Sequence, residues 1–415
     1  MNFYSILGEG LFNAAGLDLL GITSIAPLFL SQYGASLALI GMLTTVQGIA
    51  QAVMPLLAGG ATARVKSKRR LSLIGNGISR SLILLIPASL LLPIPNGAIV
   101  GVFLFAFVIL ASVQPVTGLV WNYLLNDCLD TLERPKLFGS IMVLSGIISF
   151  GAGNLIKLIR DSAALPENMK YFYIFGLAGL LMSSSVLWFL PLRESKSVAA
   201  PTKSFGLKGY AAKLASCFQN KDYRKIMSAN VASYISIVLN AFFYIFAANI
   251  LKLPSVLISN MIIVQTAGQI VGGFVTAQVS ARFGVKRLLV LSECVGLFVP
   301  LLEIFSLGIK DAYPVMLVGV FLLGFARNGW MGYTNYILEV VEKDNLIFHI
   351  VTRGLLLLPI SFLSTGAGLY IQNHSILPVF LLQVAAACVA IFLCMRLRLV
   401  SRKPVETIKE IEMKA

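Results

Sequence analysis

Apolar runs of 20 or more residues recur from one end of this 415-residue chain to the other, and they restrict its fold more tightly than any other feature. Wound as a helix at ~1.5 Å per residue, such a run spans the ~30 Å hydrocarbon core of a bilayer. Inside lipid no water satisfies backbone N–H and C=O groups, so only helices and closed barrels cross it. Barrel strands are about 10 residues of strict alternation, a pattern these runs do not show. The runs place spans near 8–31, 35–62, 71–93, 98–125, 138–160, 170–193, 226–251, 255–281, 287–309, 313–340, 346–372 and 375–398. Composition agrees: 57% of residues are hydrophobic and 12% charged, against about 25% charged in soluble domains. The expected fold is an all-α membrane protein with twelve transmembrane helices.

The formal net charge of +15 would suit a nucleic-acid binder, but its placement does not. Basic residues gather in alternate connections: Arg64 to Arg70 after span 2, Lys196 to Lys225 after span 6, Arg282 to Arg287 after span 8, and Arg396 to Lys403 after span 12. The connections after spans 1 and 3 carry no charge. This asymmetry predicts a multi-pass protein of the inner (cytoplasmic) membrane with both termini cytoplasmic. No soluble basic face is expected, hence no nucleic-acid partner. The first apolar stretch is too long for the core of a cleavable signal peptide. The five cysteines lack metal-type spacing and the two histidines, His349 and His374, are far apart, so no metal or cofactor is expected.

The polar, basic stretch 194–225 divides the spans six and six. The expected organisation is an N-terminal six-helix bundle at 1–193, a cytoplasmic linker at 194–225, a C-terminal six-helix bundle at 226–398 and a cytoplasmic tail at 399–415. Two readings of the linker stand: a disordered tether, or a short amphipathic surface helix with Phe205, Leu207, Tyr210, Leu214 and Phe218 on its apolar side. The two bundles are related. Residues 39–64 align without gaps on 257–282 with eight identities, among them Gln47/Gln265, Gln51/Gln269 and Arg64/Arg282. Apolar bias explains matched aliphatics, but not two membrane-embedded glutamines and an arginine at one offset. Asn122-Tyr123-Leu124-Leu125-Asn126 ending span 4 also matches Asn335-Tyr336-Ile337-Leu338-Glu339 ending span 10. The halves therefore read as parallel, pseudo-symmetric repeats, a design that puts a binding site between them at mid-membrane.

The connections after spans 2 and 8 carry GGATARVKSKRR (59–70) and AQVSARFGVKR (277–287), and ERPKLFGS (133–140) precedes span 5. In these segments, the span count and the long middle loop, the chain resembles the major facilitator superfamily over nearly its whole length. The resemblance implies secondary transport by alternating access, with spans 1, 4, 7 and 10 lining a central cavity. It also implies that Arg64 and Arg282 belong to a cytoplasmic gating motif. That motif's aspartate is replaced here by Ala63 and Ala281, so any latch must be built differently. LSGIISFGAGN (144–154) has the glycines of the drug-antiporter motif without its proline.

No nucleophile elbow, phosphate loop or zinc helix occurs, so no enzymatic activity is expected. Ionisable groups cost several kcal/mol at mid-membrane, which makes each one a functional candidate. Asp18 lies mid-span 1 and Arg327 mid-span 10, where the implied architecture has them face each other. Asp18 is the candidate proton-coupling group, and Arg327 and Arg353 are candidates for an anionic substrate group. Gln47 with Gln51, and Gln265 with Gln269, are four apart and share a helix face. They suit either solute recognition or hydrogen bonding between helices. Asn13, Asn122, Asn154, Asn240 and Asn328, with Tyr244, Trp330 and Tyr333, would complete a polar cavity. Glu293, Glu303 and Arg80 are expected to be structural, and Glu9 to be solvated at the membrane edge. The expected function is a monomeric secondary transporter moving a small organic anion or zwitterion, with protons as candidate coupling ion. The alternatives are efflux of amphipathic compounds and, from another class, a non-transporting sensor or lipid-handling protein.

Overall fold

The computed structural model describes residues 2–65, 67–129, 133–194, 207–341 and 346–398. Each apolar run is helical, as backbone satisfaction in lipid requires. In the first half, α1 is Asn2–Leu20 continued as Ile25–Gln32, α2 is Leu37–Arg64, and α3 is Lys68–Ser81 continued to Leu90. There follow α4 (Asn96–Cys128), α5 (Glu133–Asp161) and α6 (Glu167–Ser185, with a further turn Val186–Phe189). In the second half, α7 is Lys221–Leu239 continued irregularly to Ile250, and α8 is Ser255–Phe283. Then come α9 (Val285–Ser306), α10 (Tyr313–Ala326 and Gly329–Val340), α11 (Leu346–Asn373) and α12 (Leu377–Met395). Among the described residues eleven of these helices are long and apolar enough to cross a membrane; α5, 29 residues long, is the remaining helix of the set. Alternate crossing puts both basic motif loops on one side, called the basic side below; the other is the far side.

Local chemistry sets several boundaries. Ser36 and Ser67 cap α2 and α3, their hydroxyls accepting from the amides of Leu39 and Arg70. Asn220 caps α7, accepting from the amides of Asp222 and Tyr223 at 3.0 Å each. The linker contains a helix, Leu207–Ser216, and it docks on the second half. Cys217 is buried, Phe218 packs near Tyr223, and Lys213 sits over the Phe348 ring at 5.5 Å. The side chains of Phe205, Leu207 and Tyr210 lie outside the described residues.

The halves meet along two seams. In one, α2 runs against α11: Gly41 and Gly48 abut Ser364 and Ser361, and Gly368 abuts Leu37. Thr45 donates to the Ser361 carbonyl at 2.6 Å and shares a hydrogen bond with Thr365 at 2.8 Å. In the other, Gly153 of α5 packs on Ile263 and Thr266 of α8. At the far end the Asn249 amide donates to Ser31 at 3.2 Å. These hydrogen bonds between the halves lie at mid-depth and on the far side.

Several buried charges sit within one half. Glu9 is buried, not solvated as its place near the end of α1 suggested, because Arg80 of α3 reaches it at 2.8 Å. Ser185 accepts from the same guanidinium. Glu293 accepts from Ser233 at 2.7 Å and Tyr333 at 2.9 Å, tying α9 to α7 and α10.

Candidate functional site

Among the interrupted helices are α1, α7 and α10, and the breaks in α1 and α10 border one cavity. In α1 the chain enters the left-handed region at Gly21 (φ +52°), where a Cβ is disfavoured. The Gly21 carbonyl then accepts from both Ser24 and Ala26 at 2.9 Å, starting the helix anew. The second piece is held by aromatic packing, Phe29 meeting Phe175 edge-on at 4.9 Å. In α10 the break falls at Arg327–Asn328, where the Asn328 side chain donates to the carbonyls of Gln269 (3.0 Å) and Phe325 (3.3 Å). In α7 a 3-10 turn at Asn240–Phe242 and a π turn at Phe246–Ile250 interrupt the helix. Discontinuous helices meeting at mid-membrane are the usual scaffold of a transporter binding site.

The cavity is about 170 Å³. The α1 break contributes Asp18, Gly21, Thr23 and Ser24; Gln47 comes from α2, Gln114 from α4 and Ser149 from α5. The second half contributes Gln265, Thr266 and Gln269 from α8 and Arg327 from α10. Apolar surface comes from Leu17, Ile22, Ile156 and Ile262; none of the lining residues is aromatic. The α8 residues reach this place because α8 and α10 cross at backbone contact. Gly268 faces Phe321, Gly324 faces the Gln265 backbone, and a Cβ on Gly272 would stand 2.6 Å from the Phe325 Cα.

The two charges are held differently. Asp18 accepts a hydrogen bond from Ser149, which fixes it within the first half. Arg327 makes a long contact, 3.5 Å, to the Gln269 carboxamide oxygen and is otherwise exposed to the cavity. Asp18 and Arg327 line the same cavity, yet the two form no ion pair within 4.0 Å. An acid anchored in one half thus faces a base anchored in the other, with space between them.

Of the residues singled out in the sequence, Asp18, Gln47, Gln265, Gln269 and Arg327 share this cavity. Tyr244 stands behind it, fully buried, its hydroxyl donating to Gln265 at 2.7 Å. Asn240 is held by the Gln383 side chain at 3.0 Å. Gln51 is exposed on α2 beside Gly354 of α11. Asn122 is exposed and donates back to Gly118 of its own helix, and Trp330 is 52% exposed. Arg353 is engaged elsewhere, donating to Asn230 (2.7 Å) and Thr334 (2.9 Å) toward the basic side. Arg282 is exposed at the end of α8, and the Arg64 side chain lies outside the described residues. Sequence reasoning missed Gln114, Ser149 and Thr266. Gln114 carried a signal, being a carboxamide beside Pro115 near the middle of a largely apolar span; Ser149 and Thr266 carried none.

No protein-family model and no curated protein matches the sequence. Solved structures do match. A point mutant of the nucleoside transporter NupG aligns at TM-score 0.71 and 17% identity, covering 96% of this chain and 100% of that one. A POT family peptide transporter aligns at 0.70 and 11%, covering 97% and 98%. A D-xylose-proton symporter aligns at 0.68 and 14%, covering 96% and 97%. At such identities the likeness is one of fold: this chain has the major facilitator fold, with its two six-helix halves.

Proposed function

We propose that this chain, built on the major facilitator fold, is a secondary active transporter that carries a small zwitterion or organic anion by alternating access. One observation carries the reading: Asp18 and Arg327, each anchored in a different half, face a shared polar cavity without touching. A solute whose anionic group meets Arg327, and whose cationic or donor group meets Asp18, bridges the halves. Its binding energy then favours their closure, which is the differential interaction a ligand-driven change of state requires. The carboxamides of Gln47, Gln114, Gln265 and Gln269 supply donors and acceptors around it.

The cavity's size supports a small substrate. Its volume is about 170 Å³. Pockets for drug-sized ligands run to ~300–1,000 Å³ and are mostly apolar. Efflux of amphipathic compounds is the weaker reading on both counts.

Hydrogen bonds between the halves at mid-depth and the far side support a state open toward the basic side, which is cytoplasmic if the charge asymmetry sets orientation. Asp18 is the proposed proton-coupling group. The test is uptake into proteoliposomes of metabolites first found by thermal-shift screening, with and without a pH gradient. Saturable uptake of a small zwitterion or anion, lost in Arg327→Gln, is the expected result. If no such solute shifts the melting temperature or enters the vesicles, the reading falls.

A further inference from the structure

Where the polypeptide leaves α6 it comes up beside the first turn of α3, on the basic side. The two enclose an open pocket of about 650 Å³, lined by Ser67, Arg69, Arg70, Leu73, Arg193 and Glu194. The usual roles for such charges are already filled here. Ser67 accepts from the Arg70 amide at 3.1 Å, and the Glu194 carboxylate accepts from the Arg69 amide, so the helix end is capped. Lys68 donates to the Val65 carbonyl at 2.9 Å, closing the end of α2. Three guanidinium groups remain. Among the described residues none of them is in an ion pair, and the Nε of Arg69 is buried without a hydrogen-bond partner. Three positive charges against one carboxylate leave the pocket with an excess of two.

Its surroundings identify what would neutralise it. Arg70, Ile74 and Ile78 are exposed at four-residue spacing, one stripe along α3. Ile74 and Ile78 point outward at membrane depth, 51% and 59% exposed, as do Leu187 and Leu190 at the end of α6. The arginines thus sit at the basic-side edge of a lipid-facing apolar strip. Forked guanidinium donors match phosphate oxygens bidentately, and basic pockets at this level of a membrane protein receive anionic head groups. Among the described residues the second half shows a different arrangement. Arg287, the counterpart of Arg69 in the second half, lies over its own Phe283 ring at 5.2 Å.

We propose that this pocket seats the phosphodiester of an anionic phospholipid, with Arg70 and Arg193 as the exposed donors and the chains lying along Ile74 and Leu190. The site is separate from the central cavity and does not depend on the transport reading. The test uses the purified full-length protein with titrated phosphatidylglycerol, phosphatidylcholine or soluble glycerol phosphate, read by melting temperature and by lipid retention in native mass spectrometry. Phosphatidylglycerol is expected to raise the melting temperature and to be retained, and phosphatidylcholine is not. At ~1 kcal/mol per basic residue, Arg70→Gln with Arg193→Gln should weaken phosphatidylglycerol binding on the order of 30-fold. Arg287→Gln should leave it unchanged. Should the neutral pair fail to fold, Arg70→Lys with Arg193→Lys keeps the charge and loses the fork, and weaker retention is still expected. An unchanged preference in either pair overturns the proposal. So does a full shift produced by glycerol phosphate alone, which would mark a soluble-anion site instead.

Discussion

Asp18 is bound by a neighbour of its own half, whereas Arg327 is almost free. That difference predicts different phenotypes. Asp18→Asn keeps a hydrogen-bonding group beside Ser149 but cannot exchange a proton. It should retain solute exchange between vesicle interior and exterior while losing accumulation driven by a pH gradient. Full gradient-driven accumulation in that variant would end the coupling role. Arg327→Gln removes a charged donor worth ~1.5–3 kcal/mol to an anionic ligand, so affinity should drop on the order of 10- to 100-fold by calorimetric titration. The ion pair between Glu9 and Arg80 is a different matter, since it lies apart from the cavity. Arg80→Met leaves a buried carboxylate uncompensated, a loss of about 3–5 kcal/mol, visible as a lowered melting temperature. Glu9→Gln combined with it should recover much of that loss.

At the level of elements, the site depends on where helices stop being regular. The Gly21 break lets α1 offer Asp18, Thr23 and Ser24 to one cavity, and the Arg327–Asn328 break does the same for α10. The α1 interruption was not visible in the hydropathy pattern, because that run stays apolar around Gly21; in α10 the polar pair Arg327–Asn328 stood out in the run, but nothing in the pattern said that the helix breaks there. Gly21 by itself reads as one small residue among many, and only its positive φ distinguishes it. The α8–α10 crossing is equally dependent on absent side chains. Gly324→Val would drive a branched side chain into the Gln265 backbone and separate the helices that hold Gln269 and Arg327. Such a protein should lose solute binding together with stability, whereas Gly97→Val, at an open position, should lose neither. The linker shows the opposite balance. Its pattern allowed an amphipathic helix or a disordered tether, and the partner surface around Tyr223 and Phe348 could not be read, because those residues are distant in sequence.

For the whole molecule, the two seams and the far-side contact are where the halves touch. Ser31 and Asn249 touch across the halves at 3.2 Å. In a background without the native cysteines, Ser31→Cys with Asn249→Cys should form a disulfide on oxidation that holds the far side shut. Uptake should then stop and return on reduction; uptake that continues through the oxidised pair would show that the far side does not open during the cycle. Run length, charge placement and the repeated Gln47/Gln265 and Arg64/Arg282 pairs sufficed for an all-helical membrane fold in two related halves, since lipid leaves the backbone no other way to satisfy itself. The same residues could not say which polar groups meet. Gln47, Gln265 and Gln269 reach the cavity while Gln51 does not, although the second pair matches as well as the first. Arg353 lies in an apolar run as Arg327 does, yet it is occupied by Asn230 and Thr334. Helix rotation, the breaks at Gly21 and Arg327, and glycine-mediated crossings settle those positions. They are long-range packing outcomes, and periodicity along a single span does not record them.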